Sequence, residues 1–426
     1  TFKEFMKKYD ILVIGAGITG LASAYHLMME NRDINIGIID KYNTFGQGNT
    51  GKSDAAFRDI FTSEINYKLS SSSIAFYKYV QNELKYDLGM HFNGYLFLLD
   101  EDEINSEKIE KVRKRSETEI LWRDEILSLG IKVDPSKEAM EIMKLKRIAG
   151  GLLGKNCGIL EPQNIASFYA KELEKMGAEF IYGTKVNKLK LEPTNKLDYP
   201  GEPFIWQDKR IGRIETSRGD MEAEKYILAT DVWTNELLDP VGIDSHIRPR
   251  KRQVFQVSGE NIRKMVTRDY KGKEGIFPFT VLPNPKIVMR PEPGSGTFWI
   301  SYNDEIGRDF SLEEDPQPEM EFYLKNELMV LREYISAFNN SKVNSAWAGY
   351  YSENTIDGTY YIFQEMNLIV ATGSSGSGIM KGDSAGRIVA SLVEGKSIAR
   401  LFNGIEIPVE YLGVKGRNVE KEELVI

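Results

Sequence analysis

Short apolar runs separated by glycine turns and helical patterns mark the start of the chain. Tyr9-Asp10-Ile11-Leu12-Val13-Ile14 is apolar and rich in β-branched residues, the pattern of a buried strand, and Gly15-Ala16-Gly17-Ile18-Thr19-Gly20 follows it directly. Over residues 20–29, Leu21, Ala22, Ala24, Leu27 and Met28 recur at helical spacing, and residues 34–40 form a second apolar strand ending at Asp40. The pattern predicts a βαβ unit.

Further along, the spacing predicts a helix over 164–176, strands over 180–182 and 186–191, and an inserted hairpin in the polar stretch 192–219. Buried strands are expected again at 226–230 and 367–373. Residues 89–155 and 241–343 have another texture, mixing strands such as 286–289 and 297–300 with charged helices such as 319–338. The expected fold is α/β: a discontinuous Rossmann-type domain (1–88, 156–240 and 344–405), a mixed-sheet α+β second domain (89–155 and 241–343), and a tail (406–426).

Composition narrows the function classes. The 426 residues carry 63 acidic and 55 basic side chains, a formal charge of −8, with no block of clustered Lys and Arg. That balance argues against a nucleic-acid partner. Cys157 is the only cysteine, which excludes intramolecular disulfides and cysteine-based zinc sites, and it reads as a packed small hydrophobe. The three histidines, His26, His91 and His246, lie far apart in sequence, so a His-based hydrolase or metal site is a poor expectation. No apolar run is long enough to span a bilayer, and a cytoplasmic location is expected, with peripheral membrane contact left open.

Gly15, Gly17 and Gly20 match G-x-G-x-x-G. The first lets the chain turn, the second lets a pyrophosphate approach the backbone, and the third lets helix pack on strand. Asp40 stands where a carboxylate can accept both hydroxyls of an adenosine ribose. A rival sits close by, because Gly46-Gln47-Gly48-Asn49-Thr50-Gly51-Lys52-Ser53 satisfies the P-loop pattern of nucleotide triphosphatases. Lys41-Tyr42-Asn43-Thr44-Phe45 separates it from the preceding strand, however, and a P-loop should leave a strand directly. A second cofactor-contacting loop is the preferred reading.

Together these motifs resemble the D-amino-acid oxidase and sarcosine oxidase superfamily of FAD enzymes. The resemblance rests on the N-terminal glycine turn with Asp40, the loop from Gly48 to Arg58, Trp347-Ala348-Gly349-Tyr350-Tyr351, and Ala371-Thr372-Gly373-Ser374-Ser375-Gly376-Ser377-Gly378-Ile379-Met380. Residues 312–319, 375–381 and 422–426 look most like single-chain archaeal dye-linked L-proline dehydrogenases. The resemblance implies that the first domain binds FAD. Its contacts would come from Gly15, Gly17, Ile18, Thr19, Gly20, Asp40 and Lys41, and from Asn49, Thr50, Gly51, Lys52, Ser53 and Ala56. Val186, Ala229, Trp233 and Gly349 would add to these, with Gly373, Ser375, Gly376, Ser377, Gly378, Ile379 and Met380 at the second glycine turn. Neither the cysteine nor the histidine through which some relatives hold FAD covalently is present, so noncovalent FAD is expected.

The resemblance also implies an amino-acid oxidoreductase, with L-proline oxidised to Δ1-pyrroline-5-carboxylate as the first expectation. Sarcosine, glycine or another amino or hydroxy acid is the alternative, and a non-catalytic assembly-factor flavoprotein is the reading from another class. Arg58 matches the arginine that pairs with the substrate carboxylate, a task suited to a planar guanidinium, and Arg290 is the reserve candidate. Tyr95 and Tyr351 are expected to line the pocket, whereas a carboxylate contact by Lys381 is doubtful. Trp299 falls where oxidases of the superfamily carry a lysine beside the flavin, which points to a dehydrogenase using a quinone or another electron carrier. A homo-oligomer is compatible with all of this.

Overall fold

The computed structural model describes residues 8–268, 275–309 and 311–426. Strand Lys8–Ile14 leads into helix Ile18–Glu30 and then strand Ile36–Ile39, and the two strands pair in parallel with Ile11 opposite Ile36 and Ile14 opposite Ile39. On its other edge Lys8–Ile14 pairs in parallel with Gly219–Leu228, which pairs in parallel with Leu368–Thr372. Glu179–Ile181 extends the sheet beyond Ile36–Ile39, and Tyr361–Glu365 closes the far edge as an antiparallel strand.

Both faces of this sheet are covered, which is why its strands read as unbroken apolar runs. Ile11, Val13, Ile38, Ile227 and Ile369 pack on one face in the same core as the helices Ile18–Glu30 and Gly378–Val393. Leu12, Ile14, Tyr226, Leu228 and Val370 pack on the other, against the antiparallel pair Val186–Pro193 and Lys209–Thr216. Lys209–Thr216 lies in the polar excursion at 192–219, and Val186–Pro193, which covers the strand expected at 186–191, leads into it. The strand expected at 226–230 begins earlier, at Gly219, because its first residues pair with Lys209–Thr216 before the rest joins the main sheet.

A second sheet of eight strands stands beside the first, in the order Lys342–Asn354, Ile247–Ser258, Thr297–Ser301, Val288–Glu292, Phe279–Val281, Tyr95–Leu99, Gly150–Gly154 and Thr118–Trp122. All of its neighbours are antiparallel except Phe279–Val281 with Tyr95–Leu99. The boundary expected at 344 is corrected here. It falls inside the strand Lys342–Asn354, which pairs along its whole length with Ile247–Ser258, so Trp347 to Tyr351 belong to the second sheet. The helix expected at 319–338 runs unbroken from Met320 to Tyr334, widened to π geometry over Tyr323–Glu327, and the short 3-10 helix Ser336–Asn340 follows it. Among the described residues, no helix is long and apolar enough to cross a membrane.

Candidate active site

One elongated cavity runs from the first glycine turn to the second sheet, lined by residues of both. At its nucleotide end the main chain makes most of the wall. The Asp40 carboxylate accepts the Ala16 amide at 2.8 Å and the Tyr42 amide at 2.9 Å, one on each oxygen, and acceptor positions remain on both. Burial pushes the Asp40 carboxyl up, opposed by those two amides and by Lys41. Gly17 precedes the helix with no side chain of its own to cap it, and a Cβ added there would meet only the Thr50 hydroxyl, at 3.1 Å. Gly15 is different: its φ is +108° and a Cβ would strike the Ala229 carbonyl, so its role is in the turn itself. The open space above Gly17, at the N-terminus of the helix Ile18–Glu30, fits a diphosphate.

The loop from Gly48 to Ser53 folds over this end as a single tight turn, Asn49–Lys52, and not as a strand-to-helix P-loop. The Thr50 hydroxyl accepts the Ile18 amide at 3.1 Å. Asn49 donates to the Asp231 carboxylate at 2.6 Å and accepts the Tyr350 amide at 2.9 Å, which ties the loop to both sheets. Lys41 places its ammonium 3.6 Å from the centre of the Trp233 ring. Of the expected cofactor residues, Gly15, Gly17, Ile18, Thr19, Asp40, Lys41, Asn49, Thr50, Lys52, Ser53 and Ala56 line the cavity. So do Val186, Ala229, Trp233, Gly349, Gly376, Gly378, Ile379 and Met380.

Gly20, Gly51, Gly373, Ser375 and Ser377 are not in the lining. They shape it from behind: a Cβ on Gly20 would strike the Gly15 carbonyl, and one on Gly51 the Gly46 carbonyl. Ser375 donates to the Gly373 carbonyl at 3.2 Å, and Ser377 to that of Ser374 at 2.9 Å, so both hydroxyls brace the second turn. No histidine or cysteine is among the cavity-lining residues, and Cys157 is fully buried beside Asp59.

The other end of the cavity is built from side chains. Tyr95 stacks on Phe279 with ring centres 4.3 Å apart, and its buried hydroxyl has no hydrogen-bond partner. Tyr351 packs against the second glycine turn, where a Cβ on Gly376 would strike its ring, and burial pushes its hydroxyl up to about 12. Arg252 donates to the Lys251 and Asp304 carbonyls, both at 3.0 Å, while its Nε has no partner. Burial lowers the Arg252 guanidinium's pKa, which Tyr351 and Asp304 oppose. Ser301 donates to Asp54 at 2.9 Å. The segment from Glu422 to Ile426 returns to this end, where Ile426 joins the lining and its carbonyl accepts from Asn303 at 3.1 Å.

Three expectations are corrected here. Arg58 does not line the cavity: it is buried, and its guanidinium donates to the Ile60 carbonyl at 2.6 Å and the Leu424 carbonyl at 2.8 Å, over the Phe61 ring. Arg290, the reserve, is fully buried and occupied by the Asp54 and Leu160 carbonyls and by Glu161 and Glu292. Trp299 packs edge-on against Trp347, with Arg290 over its ring, and it is Ser301, two residues on along the same strand, that faces the cavity. Lys381 is also out of the lining, donating to Asn66 and Ser377 at 2.7 Å each. Sequence reasoning missed Asp54, Asp231, Arg252 and Ser301. Asp54 lay inside the loop already singled out, but nothing in one sequence marks Arg252 among 55 basic residues.

Comparison with known proteins agrees with this geometry. The family described as FAD dependent oxidoreductase matches residues 10–392. FAD-dependent oxidoreductase domain-containing protein 1 of Xenopus laevis is 23% identical over 423 residues, covering 91% of this chain and 79% of its own length. Glycine oxidase of Bacillus licheniformis is 23% identical over 414 residues, covering 92% and 95%. The solved structure of L-proline dehydrogenase from P. horikoshii superposes with a TM-score of 0.73 at 24% identity, covering 96% of this chain and 97% of that one. The last likeness is one of fold.

Proposed function

The chain belongs to the FAD dependent oxidoreductase family, and from that premise we propose that it oxidises a small amino acid at its C–N bond, with L-proline giving Δ1-pyrroline-5-carboxylate as the leading substrate and a quinone or similar carrier, not oxygen, as acceptor. The observation that carries this reading is that Arg252 and Tyr95 both line the cofactor cavity and that the Arg252 Nε and the Tyr95 hydroxyl are both buried without a partner. FAD, when bound, supplies a two-electron acceptor for hydride from the carbon next to nitrogen. Arg252 holds the substrate carboxylate, and the Tyr95 hydroxyl adds a hydrogen bond that fixes its direction. Phe279, Val288 and Ile426 supply apolar wall that keeps water away from the reacting carbon. Tyr351, locked against the second glycine turn, sets the depth of the pocket.

The test is an anaerobic panel of L-proline, sarcosine, glycine and other amino and hydroxy acids, read by bleaching of the bound flavin's visible absorbance. L-Proline is expected to bleach it fastest; a faster response to sarcosine or glycine would move the substrate, and no response to any of them would overturn the reading. The flavin should pass into the supernatant on acid precipitation, since no cysteine or histidine lines the cavity. Ser301 gives the cavity a neutral side chain where Trp299 was expected to replace a lysine, so substrate-reduced enzyme should reoxidise slowly in air and quickly with an indophenol dye. Reoxidation in aerated buffer as fast as turnover would make it an oxidase.

A further inference from the structure

We infer that Asp54 receives the proton of the substrate's ammonium group. The assignment rests on the amino-acid reading above and adds to it the residue that makes the amine reactive. Hydride can leave the carbon only when nitrogen has a lone pair to donate, and at neutral pH an amino acid arrives with its nitrogen protonated. Asp54 lines the cavity, and its Oδ1 is enclosed without a hydrogen-bond partner. The rest of the residue is held: Oδ2 accepts from Ser301 at 2.9 Å, and the main-chain carbonyl accepts from Arg290 at 2.7 Å. One carboxylate oxygen is therefore fixed in place and the other is left for a ligand.

The balance of the step is simple. An N–H bond of the ammonium breaks, its electron pair stays on nitrogen, and an O–H bond forms at Oδ1; no electrons leave the substrate. Arg252 meanwhile neutralises the carboxylate, so a zwitterion meets a cation and an anion in the same pocket. Tyr351, from strand Lys342–Asn354, interacts electrostatically with both Asp54 and Arg252, whose guanidinium lies 5.1 Å from its ring centre.

The surroundings of Asp54 hold its carboxyl above the usual carboxylate range. Burial pushes its carboxyl up, while the Ser301 hydrogen bond and the Arg290 charge pull it down. Tyr95 from strand Tyr95–Leu99 and Tyr351 are both held neutral by burial. Glu327, in the π-helical segment Tyr323–Glu327, is enclosed with neither carboxylate oxygen bonded, and burial pushes its carboxyl well up, with Asp304 and Asp54 adding to the shift.

Asp54→Asn tests the assignment with whichever acid reduces the wild-type flavin. Its kcat/KM at pH 7 should fall on the order of 10²–10³-fold, and the remaining rate should climb about tenfold per pH unit as free amine accumulates in solution, where the wild type levels off. FAD content should not change. An unaltered kcat/KM and pH profile would overturn the inference. If Asp54→Asn does not hold FAD, Ser301→Ala takes its place: loss of the hydrogen bond to Oδ2 should move the acid limb of the wild-type profile upward, and an unmoved limb would overturn it. Binding gives a readout that survives failure of the oxidation reading. 2-Aminoisobutyrate has no hydrogen on its α-carbon, and isobutyrate is the same skeleton without the ammonium. The wild type should prefer the former, as read from perturbation of the flavin band, and Asp54→Asn should erase about tenfold of that preference. Equal preference in both proteins would sink the assignment.

Discussion

At the nucleotide end of the cavity the wall comes from one short turn, Gly15, Gly17, Ile18 and Thr19, and one acid, Asp40, with the loop from Gly48 to Ser53 folded over them. At the substrate end they come from Asp54, Tyr95, Arg252, Ser301 and Tyr351, five separate segments brought together by the second sheet. The first end is made of backbone whose geometry one short turn decides. The second is made of side chains whose direction depends on strand register, where a one-residue slip would send every group to the opposite face.

The largest effect should come from filling the space above Gly17. Gly17→Val is expected to hold less than about a tenth of the wild-type FAD, because an intruding branched side chain costs more than the ~1.4 kcal/mol that a tenfold change in binding represents. The far-UV spectrum should be kept, since a Cβ there clashes with no main-chain atom. A FAD-replete Gly17→Val would show that the pyrophosphate lies elsewhere.

Arg252→Ala breaks the other end alone. A lost charge-assisted contact in a closed site costs about 2–5 kcal/mol, so kcat/KM should fall roughly thirtyfold to several thousandfold. FAD content should stay constant. Unchanged kinetics would remove Arg252 from the site.

Arg58→Ala sharpens the contrast between two arginines close to the same cavity. It strips partners from the Ile60 and Leu424 carbonyls and a positive charge from Glu422, which accepts from Thr62 and Ser63. Stability should drop by about 1–3 kcal/mol, measured as the urea midpoint, with a smaller loss in kcat/KM than for Arg252→Ala. If stability holds and kcat/KM collapses instead, Arg58 is the carboxylate anchor.

The smallest effect concerns Lys381, fully enclosed beside Glu422 and Arg58. Burial holds its ammonium down to about 7, with Glu422 opposing and Arg58 adding to the shift. Between pH 7 and 10.5 the unfolded chain binds more protons at this site than the folded one, so the site's contribution to stability rises with pH across that window and is lost as pH falls toward 7. Lys381→Met should flatten that rise; urea midpoints at pH 7 and pH 9 that differ as much in the variant as in the wild type would refute it.

How far each part was legible follows the same division. The strands ending at Ile14 and Ile39 and the helix between them lie within two residues of their expected limits, because burial on both faces leaves an unbroken apolar signal. The strand Gly219–Leu228 was half hidden, since its first half pairs with a polar excursion and reads as loop. The Trp299 assignment shows the limit of reading a strand: Trp299 and Ser301 share a face, and only packing on Trp347 and Arg290 shows which of them the cavity sees.

By itself, then, the sequence determined what depends on a few adjacent residues: the glycine turn, the acid at the end of the second strand, the α/β plan and the cofactor class. Tertiary structure alone decided which cations and carboxylates line the cavity. Arg58, Arg252 and Arg290 carry the same guanidinium, and what separates them is which carbonyl oxygens and acids stand within reach after folding. Arg58 and Arg290 are taken up by the Ile60, Leu424, Asp54 and Leu160 carbonyls. Arg252 lines the cavity and, although it too donates to two carbonyls, its buried Nε has no partner. A long flexible side chain gives its hydrogen bonds to whatever neighbours folding supplies, and some of those, such as Leu424 for Arg58 and Asp54 for Arg290, lie hundreds of residues away in the chain.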